Sequence, residues 1–251
     1  MTHQILSKLS EIETQEHVRI LHAVESGSRA WGFASPDSDF DVRFIYVREL
    51  NDYLKLNPLR DIIEYQLDDV FDVNGWDIQK MLKLLYKSNP TIFEWMNSPI
   101  VYQTSDEFQE LKPLINSYFS PKIAAYHYLN TAQHNYHAYC EKEQVKFKKY
   151  FYVLRPIFAC YWIFEHQTPP PMLFTDLLVS EEARAIRPLI DKLLEIKLHT
   201  SELGTAPKNL ELDSWIHQQF TRVKTIADSL PNQKNSDWNA LNSAFVSCIR
   251  Y

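Results

Sequence analysis

The stretch "ESGSRAWGFASPDSDFDVRFIYV", residues 25–47, decides the fold, because it sets a Gly-Ser pair and an Asp-Phe-Asp triplet between two apolar runs. The run "HVRILHAVE" (17–25) predicts a buried strand, and "DVRFIYV" (41–47) predicts a second strand. A hairpin needs only a few residues between its strands, whereas the segment between these runs is long and rich in Ser, Asp and Pro. The segment is therefore either a functional site or an unusual loop.

The two carboxylates that close this segment have the spacing of a metal site. Side chains at positions i and i+2 of a strand point to the same face, so Asp39 and Asp41 project together while Phe40 turns back into the core. Two adjacent carboxylates repel each other unless a cation lies between them. Magnesium is the natural cation, since it prefers carboxylate oxygens and keeps positions open for substrate phosphates.

The Gly-Ser pair has the composition of a phosphate-binding turn. Gly27 lets the backbone approach a phosphate closely, and Ser28, followed by a helical turn, offers a hydroxyl and N–H groups to the anion. Arg29 adds a cation nearby. The order strand, Gly-Ser, short helix, paired Asp, strand indicates a metal-assisted phosphoryl or nucleotidyl transfer site.

The alternative is a surface loop without chemistry. In that interpretation Asp37 and Asp39 cap turns, and Asp41 is a solvated strand end. The Gly-Ser pair at the end of the preceding strand, with helix-forming residues after it, favours the site over the loop.

The overall composition is that of a globular protein, with 45% hydrophobic and 23% charged residues. Four glycines beside 14 Phe, 14 Tyr and 6 Trp predict a helix-rich interior filled with aromatic side chains. The net charge of −6 argues against an unselective nucleic-acid-coating protein and leaves room for a local basic groove. Three scattered cysteines, with no apolar signal or membrane-spanning segment in the sequence, lead us to expect a cytoplasmic protein.

The periodicity of apolar residues divides the chain into two predicted domains. Strand patterns at 61–67 and 70–76, joined by a tight Asp68-Asp69 connection, precede helical spacing from Asp77. From Pro121 onward the pattern is nearly all helical, with helices predicted at 122–140, 145–166, 180–200, 209–229 and 236–249. The sequence therefore predicts an α+β protein: an N-terminal α/β domain (1–105) with a mixed sheet, followed by an all-helical, substrate-binding domain (106–251).

The text "GSRAWGFASPDSDFDVRF" resembles the signature of the polymerase-β nucleotidyltransferase superfamily, which is Gly-Ser, ten residues and Asp-x-Asp. The segments "DVNGWDIQKMLKLLYKSNPTIFEWMNSPIVY" and "KKYFYVLRP" are similar to its subfamily of predicted bacterial and phage nucleotidyltransferases linked to RNA repair, over about residues 20–175. The resemblance implies transfer of a nucleoside monophosphate from an NTP to an acceptor, with two divalent metal ions, Mg²⁺ or alternatively Mn²⁺. It matches Gly27 and Ser28 to the phosphate-binding pair, and Asp39 and Asp41 to the metal ligands.

The resemblance also implies a third carboxylate on a neighbouring strand, where it activates the attacking hydroxyl. Asp72, in "VFDV", best fits an apolar-Asp-apolar strand followed by a helix, and we expect it to be the third metal ligand and catalytic carboxylate. Asp77 is the next candidate, although its position also suits a first-turn residue that favours the helix dipole. Glu64, in "IIEY", is the third.

Two basic side chains of the helix predicted at 145–166 are candidate nucleotide ligands. Arg155 lies on a face away from the apolar stripe, with Lys149 at its edge, where both would grip a triphosphate or an RNA backbone. The alternative is a solvated charged face. Arg155, beside Pro156, is the stronger candidate of the two.

The sequence leaves the acceptor open. The subfamily's association with RNA repair favours an RNA 3′ end, and the acidic net charge argues against it. A protein hydroxyl, as in AMP-transferring antitoxins of this motif type, and a small hydroxylated molecule, as in aminoglycoside-modifying relatives, are the alternative acceptors. A non-catalytic nucleotide-binding module is an alternative of another class; we would expect it to have lost a metal carboxylate, whereas Asp39 and Asp41 are both present.

Overall fold

The computed structural model describes residues 1–35, 38–66, 71–199 and 205–249, and its mixed α+β class confirms the predicted one. The predicted Asp68-Asp69 connection lies outside the described residues. The chain forms two compact units. The first unit comprises Met1–Ala30, Asp39–Phe119 and Asn235–Tyr251, and the second unit comprises Trp31–Ser38 and Ser120–Lys234.

The first unit is built on a five-stranded mixed sheet. Its strands are β1 (Val18–Glu25), β2 (Phe40–Arg48), β3 (Ile62–Gln66), β4 (Phe71–Asp77) and β5 (Val101–Thr104), in the spatial order β3-β4-β2-β1-β5. β1 pairs antiparallel with β2 and β5, β4 pairs antiparallel with β3, and β2 and β4 are parallel. Four of these strands match the predicted runs to within a residue or two, whereas β5 was not predicted.

This topology brings three points of the chain to one edge of the sheet. Because β1 and β2 are antiparallel, Glu25 at the end of β1 lies opposite Val42 near the start of β2. Because β2 and β4 are parallel, their starts lie side by side, with Asp41 opposite Asp72. The Gly-Ser turn that follows β1 and the two carboxylates therefore belong to the same edge.

The described helices alternate with these strands and then dominate the chain. They are α1 (Thr2–Glu16), α2 (Gly27–Ala30), α3 (Leu50–Tyr53), α4 (Ile78–Tyr86), α5 (Pro90–Met96), α6 (Asp106–Glu110), α7 (Lys112–Ser117), α8 (Pro121–Tyr139), α9 (Phe147–His166), α10 (Phe174–Leu177), α11 (Glu181–Ala185), α12 (Arg187–His199), α13 (Leu210–Ser229) and α14 (Trp238–Ile249). None of the helices in the described ranges combines the length and the apolar character needed to cross a membrane.

Both faces of the sheet are buried. On one face the apolar stripe of α1, including Leu9 and Ile12, packs in a cluster with Phe44 of β2. On the other face Ile45 of β2 packs in a cluster with buried residues from α4, α5, α6, α7 and α14. Burial on both sides explains why β1 and β2 read as nearly continuous apolar runs.

Gly75 lies in β4 at the position that faces the ring of Phe44, its register partner on β2. A Cβ atom at Gly75 would lie 2.1 Å from Phe44 Cε2. We expect Gly75→Ala to lower the free energy of unfolding by about 1–3 kcal/mol, because the added methyl group overpacks a filled core. Denaturant titration measures this loss. Adding Phe44→Leu to Gly75→Ala should recover part of the lost free energy of unfolding. If the losses of the two single variants are additive in the double variant, a clash between the new methyl group and the Phe44 ring is contradicted.

The second unit is mainly helical. α8, α9 and α13 pack against one another, and α9 continues through Pro156. The predicted helix at 180–200 is instead two helices, because Ser180 caps α11 and the chain turns at Ile186 before α12. Two short strands that the sequence did not predict, β6 (Gln144–Lys146) and β7 (Thr205–Pro207), pair antiparallel in the same unit.

The compact units and the predicted domains have different bounds. The first unit continues past residue 105 to Phe119 and takes in α14, whose Leu241 and Ala244 pack beside α4 residues in its core. The segment Trp31–Ser38, which separates the Gly-Ser pair from Asp39, belongs to the second unit. The assignment of a catalytic domain to 1–105 and a substrate-binding domain to 106–251 stays a prediction.

Candidate active site

The Gly-Ser turn lies directly against the Asp41 carboxylate. Gly27 has a φ of +58°, and a Cβ atom there would lie 1.9 Å from Asp41 Oδ2. The Ser26 N–H donates to the Asp41 carbonyl oxygen at 2.8 Å, which fixes the chain just before the turn. Both the backbone conformation and the closeness of the carboxylate therefore require glycine at this position.

Asp41 is a partly buried carboxylate surrounded by other charges. Burial raises its pKa above the usual range, the positive charge of Arg43 lowers it, and the negative charges of Asp39 and Asp72 raise it further. The Asp41 side chain is 21% exposed. The alternative interpretation of Asp41 as a solvated strand end is therefore wrong, and Asp37 of that interpretation lies outside the described residues.

Asp39 lies one residue before β2 and is exposed. Its carbonyl oxygen accepts a hydrogen bond from Arg29 Nε at 2.9 Å, and the Arg29 guanidinium stacks 3.7 Å from the ring centroid of Phe40. Phe40 packs against the core cluster that contains Val42, as predicted. Through these two contacts, Arg29 links the start of β2 to the Gly-Ser turn.

Arg43 is a site residue that the sequence reasoning missed. Its Nη2 lies 2.8 Å from Asp41 Oδ1 and 2.6 Å from Asp72 Oδ2. Its Nη1 donates to the carbonyl oxygens of Val42 and Asp72, each at 3.0 Å. The signal in the sequence is an arginine two residues after Asp41, which places it on the same face of β2.

Glu25 is a second residue that the sequence reasoning missed, because it was assigned only as the end of a strand. Its side chain is fully buried; Oε1 accepts the Asp41 N–H at 2.8 Å, and Oε2 accepts the hydroxyl of Tyr102. Burial raises the pKa of Glu25, and the hydrogen bonds from Tyr102 and Asp41 lower it. Glu25 therefore ties the backbone of Asp41 to β5.

The three candidates for the third carboxylate lie at different places. Asp72 is opposite Asp41 on the neighbouring parallel strand and is 51% exposed. Asp77 is at the other end of β4, where Oδ1 caps α4 by accepting the Gln79 N–H at 2.7 Å. Glu64 lies on β3, where it accepts a hydrogen bond from Asn74 Nδ2 at 2.9 Å. Asp72 is the candidate that the fold brings to Asp41.

The two basic candidates of α9 lie in the second unit. Lys149 Nζ lies 3.8 Å from the ring centroid of Tyr139. Arg155 is only 3% exposed; its guanidinium lies 4.8 Å from the ring centroid of Trp31, and Nη2 donates to Met172 Sδ at 3.3 Å. The alternative of a solvated charged face is therefore wrong for Arg155, and the predicted role of both residues in nucleotide binding stays a prediction.

The donor set at the sheet edge fits a divalent cation. Within the described ranges, no three His, Cys, Asp or Glu side chains already converge as metal ligands. The carboxylates of Asp41 and Asp72 nevertheless converge on one positive group, Nη2 of Arg43, and carboxylate oxygens are the ligands that Mg²⁺ and Mn²⁺ prefer. Asp39 adds a third negative charge close enough to raise the pKa of Asp41.

Comparisons with known proteins identify one matching family and two similar proteins. The family model described as "RNA repair pathway DNA polymerase beta family" matches residues 1–247. The uncharacterized protein YcgL of Bacillus subtilis (strain 168) is 40% identical over 253 residues, which cover 99% of this chain and 96% of YcgL. A nucleotidyltransferase-like protein from Exiguobacterium sibiricum 255-15, known from a crystal structure, aligns at 16% identity with a TM-score of 0.33, over 91% of this chain and 75% of its own. A TM-score of 0.33 does not establish a shared fold. The relationship of this chain to known proteins therefore rests on the two sequence matches.

Proposed function

The chain belongs to the RNA repair pathway DNA polymerase beta family, and from this premise we propose that it is a metal-dependent nucleotidyltransferase. It moves a nucleoside monophosphate from an NTP to an acceptor hydroxyl, and an RNA 3′ end is the first candidate acceptor. One observation carries the proposal: the backbone of Gly27 lies against the Asp41 carboxylate, while Asp72 faces Asp41 from the next strand. The Gly-Ser turn and a carboxylate pair therefore meet at one point, which is the arrangement that the proposed transfer requires.

In the proposed in-line displacement, each of these residues has a separate role. The absence of a side chain at Gly27 lets the turn lie against the Asp41 carboxylate, beside the proposed triphosphate site, and Ser28 donates its hydroxyl to a phosphate oxygen. A carboxylate oxygen of Asp72 orients the acceptor hydroxyl and accepts its proton. The acceptor oxygen then forms a bond to the α-phosphorus, the bond from that phosphorus to the bridging oxygen breaks, and pyrophosphate leaves.

Asp39, Asp41 and Asp72 would hold the metal, Mg²⁺ or Mn²⁺, with two ions as the family resemblance implies. Bound there, the metal would stabilise negative charge on the attacking and leaving oxygens. Glu25 acts indirectly, because its hydrogen bond to the Asp41 N–H positions the start of β2. Lys149 and Arg155 are proposed as further nucleotide ligands.

The direct test is label transfer. The protein is incubated with each α-³²P-labelled NTP and Mg²⁺, alone and with total RNA, beside the Asp39→Ala/Asp41→Ala variant as control. Label that moves to RNA only with intact aspartates supports the proposal, whereas label on protein or on a small molecule would replace RNA with one of the alternative acceptors. If the protein shows no label transfer and no nucleotide binding that depends on the aspartates, the proposal is overturned.

The salt dependence of the reaction is expected to identify the acceptor class independently. If RNA is the acceptor, its apparent KM should rise steeply between 50 and 200 mM salt, by about tenfold or more, because each phosphate contact releases counterions. Transfer to a small neutral acceptor should change little over the same range. The measurement is the initial rate against acceptor concentration at four salt concentrations, with NTP and Mg²⁺ saturating. A flat response with RNA would argue that RNA is not the physiological acceptor.

A further inference from the structure

The guanidinium of Arg43 lies between the two carboxylates to which the proposed function gives a metal ion. Nη2 contacts Asp41 Oδ1 at 2.8 Å and Asp72 Oδ2 at 2.6 Å, while Nη1 donates to two main-chain oxygens. The Arg43 side chain is 18% exposed, so this contact is partly shielded from water. One side chain thus joins the starts of β2 and β4 and offsets one of the two negative charges that face it.

The two oxygens of Asp41 have different neighbours. Oδ2 lies beside Gly27, and Oδ1 contacts Arg43. A metal ion that binds Asp41 through Oδ1 must therefore share that oxygen with the guanidinium or displace it. Sharing is unfavourable, because two cations on the same partly buried oxygens repel each other strongly.

We propose that Arg43 is an internal counterion of the metal site, a proposal that rests on the metal-dependent function proposed above. It holds Asp41 and Asp72 together before the metal arrives, and its Nη2 leaves both carboxylates when a divalent ion binds. Arg43 thereby reduces the repulsion between the starts of β2 and β4, and it lowers the affinity of the site for free metal. If Arg43 were only a structural link between two strands, it would stay in place and its removal would not tighten metal binding.

Metal binding is the first readout, with MnCl₂ alone as the probe and the full chain without nucleotide. Calorimetric titration of the wild type is compared with Arg43→Gln, which removes the charge and keeps an amide donor. We expect Arg43→Gln to bind Mn²⁺ on the order of tenfold more tightly. Arg43→Lys keeps the charge but loses the planar fork, so we expect an affinity about threefold tighter than that of the wild type.

Arg48→Gln is the matched control, because it removes the same charge from the opposite end of β2. Arg48 is five residues from Arg43, which is roughly 16 Å along a strand and beyond the screening length at physiological salt. Its Mn²⁺ affinity should stay within about twofold of the wild-type value. A gain as large as that of Arg43→Gln would show that net charge alone sets the affinity and would overturn the proposal.

Thermal melting gives a second readout that a purely structural role would not reproduce. Without metal, Arg43→Gln should melt below the wild type, because the Asp41–Asp72 repulsion is no longer compensated. Saturating Mn²⁺ should then raise its Tm by more than it raises the wild-type Tm. Equal increments in the two proteins would contradict an exchange between guanidinium and metal.

The same titrations separate this inference from the proposed function. If the wild type binds Mn²⁺ and Asp41→Asn abolishes that binding, the metal site stands; unchanged or weaker binding by Arg43→Gln then overturns the role of Arg43 alone. If Mn²⁺ binding by the wild type is absent or does not depend on Asp41, both proposals fall together. If Arg43→Gln does not fold, Arg43→Lys provides the test. Mn²⁺ binding by Arg43→Lys that is no tighter than binding by the wild type overturns the inference.

Discussion

Replacing Asp72 with Asn is expected to lower the rate of nucleotidyl transfer by about a thousandfold or more. The change keeps the size of the side chain but removes a negative metal ligand and the proton acceptor of the attacking hydroxyl. General-base catalysis alone contributes roughly 10²–10⁴ in rate, and metal coordination contributes several kcal/mol more. Because the side chain is 51% exposed, we expect little loss of stability.

Asp77→Asn is the matched control for this change, since it makes the same substitution at the other end of β4. Asparagine caps helices about as well as aspartate, so α4 should keep its hydrogen bond to the Gln79 N–H. Single-turnover rates at saturating NTP and Mg²⁺ should remain within about threefold of wild type. A larger loss in Asp77→Asn than in Asp72→Asn would make Asp77 the third carboxylate and reverse our assignment.

Gly27→Ala is expected to lower kcat/KM by about a hundredfold or more. The new methyl group would lie 1.9 Å from Asp41 Oδ2, so either the carboxylate or the turn must move. A displacement of about 1 Å at a reacting centre costs on the order of 10²-fold in rate. Nucleotide binding should weaken as well, because a displaced turn no longer holds its N–H groups beside the Asp41 carboxylate.

Gly32→Ala separates this steric effect from backbone strain. Gly32 also has a positive φ, +83°, but a Cβ atom there would meet only the end of the Leu173 side chain, at 3.0 Å. Both alanine variants carry the strain of a left-handed conformation, about 1–2 kcal/mol, which denaturant titration measures. Only Gly27→Ala should lose activity per folded molecule. Equal losses in both would mean that strain, not the contact with Asp41, explains the need for glycine.

The part of the fold that the sequence predicts is the part with strong local signals. The apolar runs of β1 and β2 are long because both faces of these strands are buried, and α4 begins where an aspartate precedes a helical period. β5 has four residues and an exposed Val101, so neither length nor alternation marks it. The apolar stripe of α14 predicts a helix, but no local feature tells which unit it packs into.

The candidate site divides in the same way. Gly27 and Asp41 belong to one short segment whose spacing predicts that they lie together, and the structure brings them into contact. The partnership of Glu25 with Tyr102 joins residues 77 positions apart through the unpredicted β5, and sequence patterns do not report such contacts. Arg43 was missed for another reason: strand alternation gives the face of its side chain, but not that its guanidinium reaches across to β4.

The position of α14 sets an order for biosynthesis. Chains are made from the N-terminus, so the sheet of the first unit and its α4 emerge from the ribosome well before α14. Until residues 238–249 have been translated, Met81 and Leu85 of α4 lack Leu241, which belongs to the same core cluster. Residues 120–234 of the second unit are translated between α4 and α14. The core on this face of the sheet is therefore completed only late in translation, and until then the apolar residues that pack against α14 lack part of their cover.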